Sequence, residues 1–100
     1  MNQLASLTAA STPGNPGFAY PGVAYPASKV AVNMITIQFA KQFPHFRINA
    51  VDPGYTATDF NHHSGPQTVE EGTDAIVRMA TIGRDGPTGA FQDRHGTVAW

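Results

Sequence analysis

Pro26 and Pro44 bracket the longest run of this chain that holds neither proline nor glycine, and that bracket limits the fold more than any other feature. A proline suits the first turn of a helix, where its missing amide hydrogen has no partner to lose, and the residue before a proline is steered out of the helical region. The bracket therefore predicts one helix from Pro26 to Phe43. Val30, Ala31, Val32, Met34, Ile35, Ile37, Phe39, Ala40 and Phe43 fall all around it rather than on one stripe. A helix of that kind is expected to be covered on several sides.

The flanking segments place this helix in a layered α/β arrangement. Arg47-Ile48-Asn49-Ala50-Val51 reads as a short strand cut off by Asp52-Pro53-Gly54, so helix, strand and tight turn follow one another as half of a βαβ unit. Upstream, Met1 to Ala10 reads as a strand end or a short helix. Ser11 to Pro26 carries four prolines and three glycines, a density that predicts a shaped loop without regular structure. Gly14 and Gly17 do not form a phosphate-binding fingerprint, because Pro13 and Pro16 interrupt the turn and no strand precedes it. Downstream, Tyr55 to Gln67 is polar and turn-rich and reads as a mobile surface segment. Thr68-Val69-Glu70-Glu71 has capping-box form and opens a second helix, with Ile76, Met79 and Ala80 on one face and Gly83 closing it. Ala90-Phe91-Gln92 is a further short strand between two turns, Gly86 to Gly89 and Asp93 to Gly96. Thr97 to Trp100 is an apolar end.

One hundred residues at 41% hydrophobic suffice for one small domain, with no repeat and no linker, so 1-100 is read as one unit. A formal charge of -1 with 13% charged residues offers no basic stripe for nucleic acid or an anionic membrane, which leaves small molecules as the expected partners. The chain has no cysteine, which excludes thiolate metal sites and disulfides. His62 and His63 are adjacent, so their side chains diverge, and no His-x-x-x-His spacing puts two ligands on one helix face. No metal site is expected. Met1 to Ala5 lacks the basic start and apolar core of a signal peptide, and no stretch approaches about 18 apolar residues. The expected location is the cytoplasm.

Chemistry enters at Tyr25-Pro26-Ala27-Ser28-Lys29, where a tyrosine and a lysine stand one helical turn apart on the same face. A tyrosine serves as an acid or base near neutral pH only when its pKa falls from about 10 to about 7, a change of about 4 kcal/mol. One positive charge at about 4 Å supplies roughly 4 kcal/mol at an effective dielectric of 20, but only about 1 in bulk water. The pair is chemistry inside a closed site and an ordinary helix-surface pair outside one.

Read together, Tyr25-Pro-Ala-Ser-Lys29, the apolar helix, Arg47-Ile-Asn-Ala-Val-Asp-Pro-Gly54 and Thr58 resemble the short-chain dehydrogenases/reductases in order and spacing, and most closely their carbonyl-reductase-like members. Pro53 to Asp59, Glu70 to Gly72 and Gly86 to Phe91 extend the resemblance, which runs from about Leu4 to Trp100. It implies the second half of a doubly wound Rossmann-type parallel sheet, with two helices and two short parallel strands. It also implies NAD(P)H-linked reduction of a carbonyl or oxidation of an alcohol, with NADP favoured and NAD the alternative. By the same resemblance Tyr25 gives the proton, Lys29 supports it and binds the nicotinamide ribose, and Pro53, Gly54 and Thr58 hold the nicotinamide end. The turn after the strand lies where ligands of doubly wound folds bind.

Two departures accompany the match. Anchored on Ser6-Leu7, the family's catalytic serine falls at Met1 or Asn2, neither of which carries a hydroxyl, while Ser11 and Thr12 lie nearer the usual distance before Tyr25. The glycine-rich dinucleotide fingerprint belongs to the family's first half, which these residues do not include. A non-enzymatic reading therefore stands beside the enzymatic one: a truncated chain that keeps the catalytic residues and at most associates through the apolar face of its central helix.

Overall fold

The computed structural model describes residues 4–100, with Phe60 as backbone only. Helix α1 (Leu7–Ser11) is followed by the long helix α2 (Ala24–Gln42) and strand β1 (Ala50–Val51). Helix α3 (Val69–Ala80) leads to strands β2 (Phe91–Asp93) and β3 (Gly96–Thr97). The sheet order is β1-β2-β3. β1 and β2 run parallel, with Ala50 opposite Phe91, as the α/β reading expects, and α3 makes the crossover between them. β3 is an addition to that reading: it returns antiparallel to β2, so the sheet is mixed. Asp93 makes the return possible, since its carboxylate Oδ1 accepts from the backbone N–H of His95 at 2.7 Å and of Gly96 at 3.0 Å, closing an Asx turn.

β1 is shorter than the predicted Arg47 to Val51 because side chains replace backbone partners ahead of it. Ile48 N donates to Thr88 Oγ1 at 3.1 Å, and Asn49 Oδ1 accepts from Ala90 N at 2.9 Å. Gly89 N donates to Ile48 O at 2.7 Å, and the regular ladder begins at Ala50, whose N–H donates to Ala90 O at 2.9 Å.

α2 starts at Ala24, which places Pro26 in the first turn as predicted, and its last N–H bond belongs to Phe43. Its cover differs from the expectation. Pro26, Val30, Asn33, Ile37 and Ala40 make one narrow stripe that is buried or half-buried, while Val32, Met34, Ile35 and Phe39 are all about half exposed. The physical reason is the size of the sheet: α2 and α3 both pack on β1, and among the described residues β1 is an edge strand with no neighbour on its outer side. A three-stranded sheet has room for one stripe of this helix.

α3 opens with the predicted capping box, Thr68 Oγ1 accepting from Glu71 N at 3.1 Å and Glu71 Oε2 accepting from Thr68 N at 2.9 Å. Its buried face is Gly72 and Ala75, with Met79 half-buried; Ile76 and Ala80, expected on that face, are exposed. Gly72 leads because a Cβ there would run into the Thr56 side chain, so close approach to the 55–67 loop selects the smallest residue. Arg94 latches the hairpin to α3 through Glu71 at 3.2 Å and Asp74 at 3.1 Å. Arg78 adds bonds to the carbonyls of Asp93 and Arg94.

The two ends of the described chain are tied together. Ser6 caps α1, accepting from Ala9 N at 3.0 Å, and donates its hydroxyl to Ala99 O at 2.6 Å. Thr8 N reaches Trp100 O at 2.9 Å. Trp100 stacks on Phe91 with centroids 5.5 Å apart, and Phe91 at 2% exposure is the largest side chain of the small core.

Candidate active site

Helix α2 presents Tyr25 and Lys29 on consecutive turns, and the Lys29 Nζ lies 5.5 Å from the Tyr25 ring centroid. Both open into a cleft of about 650 Å³. One wall is α2, from Tyr25 through Lys29, Val32 and Asn33 to Thr36; the facing wall is β1 and the turn after it, from Asn49 to Tyr55. Leu4 and Ala5 add to the lining.

The turn owes its shape to Asp52 and Gly54. Asp52 Oδ1 accepts from Gly54 N at 2.8 Å, and Gly54 sits at φ 77, a conformation that glycine adopts without strain. A Cβ at Gly54 would also collide with the Gln67 side-chain amide, so this position is doubly restricted. Pro53 and Gly54 thereby line the same cleft as the tyrosine and the lysine.

Of the predicted site residues, Tyr25, Lys29, Pro53 and Gly54 come together in the lining and Thr58 does not. Thr58 instead caps the single 3-10 turn Asp59–Asn61, its N–H donating to Asn61 Oδ1 at 3.0 Å. The segment around it is a loop tied at its base, where the predicted reading had a mobile stretch. Ala57 N donates to Gln67 O at 2.8 Å, and the Tyr55 hydroxyl meets Ser64 Oγ at 2.5 Å. Ser11 and Thr12 are also turned away: their hydroxyls donate to the carbonyls of Leu7 and Thr8 in α1. Met1 and Asn2, where the resemblance puts the family's catalytic serine, lie outside the described residues.

Residues that the motif did not name complete the lining. Asn33, only 5% exposed, stands one turn beyond Lys29 on the same face, and its amide Nδ2 donates to Ala5 O at 3.0 Å. The four-residue spacing from Lys29 was the available signal for it. Tyr20 and Tyr55 carry no such signal, since each comes from a loop whose path only the tertiary structure sets.

Electrostatically the site is open. Tyr25 is 54% exposed, so water screens the Lys29 charge and the pair works at full strength only when something covers the cleft. Among the described residues no three His, Asp or Glu side chains gather as a metal site, and no helix is long and apolar enough to cross a membrane. Among the described residues Glu71 is the one group whose pKa is clearly moved: its bond from the Thr68 backbone, and then Arg94, hold it below the ordinary value of 4.5.

Comparison with known proteins supplies the family. The short chain dehydrogenase family model matches residues 7–69, more than half of the chain. Salutaridine reductase of Papaver somniferum is 42% identical over 82 residues, which are 82% of this chain and 25% of that protein. Carbonyl reductase (NADPH) 3 of Rattus norvegicus is 35% identical over 72 residues, 66% of this chain and 26% of that protein. The structure of the carbonyl reductase Sniffer of D. melanogaster superposes with a TM-score of 0.71 at 25% identity, covering 97% of this chain and 38% of that one. The chain thus spans about a quarter of the length of the curated relatives it matches. Its α/β sheet is part of a Rossmann-type sheet, and the chain belongs to the short-chain dehydrogenase family.

Proposed function

We propose that residues 1–100 are the carboxyl-terminal part of a short-chain dehydrogenase domain that reduces a small carbonyl compound with NADPH, or oxidises the corresponding alcohol. The observation that carries this reading is the convergence of Tyr25, Lys29 and the Pro53-Gly54 turn on one cleft beside the edge of the sheet. Salutaridine reductase and carbonyl reductase (NADPH) 3 are reductases by name, and the second names NADPH. NADP is accordingly favoured over NAD.

The residues present fit one end of such a cofactor. Lys29, Pro53 and Gly54 would hold the nicotinamide ribose and ring, and assigning Thr58 to the same end requires the 55–67 loop to move toward the cleft. The pyrophosphate finds no seat in the described residues. α3 carries Glu70 and Glu71 in its first turn and its cap is already closed, while α2 begins without a side-chain cap after a proline-rich loop rather than a strand. Phosphate binding at a helix start needs free backbone amides and no adjacent acids. When bound, a reduced nicotinamide supplies hydride to the carbonyl carbon. Tyr25 Oη then gives its proton to the carbonyl oxygen, and the Lys29 ammonium stabilises the phenolate left behind. The apolar lining from Val32 and Phe91 keeps water from the reacting carbon once the cleft is covered.

The non-enzymatic reading has its own observation: Phe39, Phe43 and Phe46 are exposed and in contact in series, the first pair stacked with centroids 5.9 Å apart and the second edge-to-face at 6.3 Å. In that reading the chain associates through α2 and turns nothing over. A graft separates the two. Residues 7–100 replace the matching segment of salutaridine reductase, and ketone-dependent NADPH oxidation is followed. Turnover that Tyr25→Phe removes and Tyr20→Phe keeps supports the enzymatic reading; equal turnover by the graft and its Tyr25→Phe variant overturns the assignment of Tyr25.

A further inference from the structure

All three tyrosines of the chain, Tyr20, Tyr25 and Tyr55, line the one cleft. Tyr25 belongs to the reaction and Tyr55 to the turn after β1, but Tyr20 enters from the proline-rich loop between α1 and α2 and has no part in either. In that loop the other large apolar side chains face outward, Phe18 at 52% and Val23 at 83% exposure, while Tyr20 is the one turned in and partly buried. Its seat is formed by Gly22. A Cβ on residue 22 would come within 2.5 Å of the Tyr20 ring carbon Cε1 and 3.2 Å of Cζ and Oη, so the ring lies directly on the glycine backbone. One edge of the ring, through Cε1 and Cζ, rests with the hydroxyl against residue 22, and the Tyr20 side chain held there lines the cleft.

We propose that Tyr20 is a specificity residue: its ring, seated on Gly22, forms an aromatic wall that favours ring-bearing ketones over short open-chain carbonyls. This rests on the carbonyl-reduction reading and names its substrate class. Aromatic faces reward flat or cyclic apolar partners, and a side chain already seated loses little freedom when one arrives. Gly22 has no left-handed backbone that would demand glycine, so the contact with Tyr20 is the reason for a small residue there.

The test is a nuclear magnetic resonance titration of the full 100-residue chain with 1-tetralone, a bicyclic aromatic ketone, and with 2-butanone. The expected result is saturable shifts from 1-tetralone and weaker binding of 2-butanone. Tyr20→Ala should weaken 1-tetralone about fivefold, the order of one aromatic contact. Tyr20→Phe should stay within about twofold of the parent, since the ring remains. Gly22→Ala, which keeps the tyrosine but pushes its ring off the seat, should lose as much as Tyr20→Ala, and it decides the matter if Tyr20→Ala does not fold. Unchanged 1-tetralone affinity in Tyr20→Ala and Gly22→Ala, loss in Tyr20→Phe equal to that in Tyr20→Ala, or no saturable binding by the parent chain overturns the proposal. Binding without hydride transfer is read here and turnover in the graft, so either can fail while the other stands.

Discussion

Lys29 stands with its Nζ 5.5 Å from the centre of the Tyr25 ring, at the side of a cleft that leaves the tyrosine half exposed. That distance puts the charge close enough to matter and the exposure keeps it screened. Covering the cleft would convert a surface pair into a catalytic one, because the same charge gains several-fold as the effective dielectric falls.

The first prediction follows from the charge. In the salutaridine reductase graft, Lys29→Met should lower kcat by about two to four orders of magnitude, the range of a positioned proton donor. A Lys29→Met graft with unchanged kcat would remove Lys29 from the mechanism.

A second prediction concerns the 100-residue chain by itself. It should show no saturable NADPH consumption with ketones or aldehydes, because the described residues provide no seat for the pyrophosphate. Thermal unfolding should be unmoved by millimolar NADPH, where a ligand at 100 times its dissociation constant would add about 2.7 kcal/mol. Steady ketone-dependent NADPH oxidation that Tyr25→Phe abolishes would contradict this.

Self-association is the third. Ile35 and Phe39 in the carboxyl-terminal half of α2, with Phe43 and Phe46 just beyond its end, leave large apolar side chains exposed, an arrangement that pairs with whatever apolar surface is available. At low micromolar concentration, gel filtration with light scattering should report a mass above the 10.6 kDa of one chain. The double variant Phe39→Ser, Phe43→Ser should bring it down. A monodisperse 10.6 kDa species for the parent would refute the expectation.

The fourth prediction tests the latch between α3 and the hairpin. Glu71 has a folded pKa below its ordinary 4.5, chiefly through the Thr68 backbone bond and then through Arg94. Between the folded and the unfolded values the unfolded chain binds more protons, so stability rises with pH there. The contribution is complete above about pH 4.5 and is lost as the pH falls through the folded value. The unfolding midpoint of the parent should therefore exceed that of Glu71→Gln near neutral pH, and the gap should narrow as the pH is lowered from 4.5 through the folded value. A gap that stays constant across that range would show that Glu71 acts through packing rather than charge.

Much of the local structure was legible because it depends on neighbours in the chain. The Pro26 to Pro44 bracket located α2, and the Thr68 and Glu71 pairing located the start of α3, since caps and prolines act within one turn. The Tyr25 and Lys29 face was legible for the same reason. The extent of β1 was not, because the side chains of Asn49 and Thr88 take backbone partners 41 and 40 residues away, which no local pattern records. Nor was the face of α3: Ile76 and Ala80 promise burial by hydropathy, but the close approach of Thr56 to Gly72 turned the helix toward its small side.

The sequence by itself determined which residues could carry chemistry and which helix would present them, because those features follow from spacing along one turn. Only the tertiary structure decided what faces them. Pro53 and Gly54 come within reach of Tyr25 because β1 and α2 pack on each other, Thr58 stays outside because its own loop closes at Thr56 and Gln67, and Tyr20 turns inward because Gly22 leaves room for its ring. Each of these is a contact between segments whose separation along the chain says nothing of their distance in space, so it is settled by packing and not by local preference.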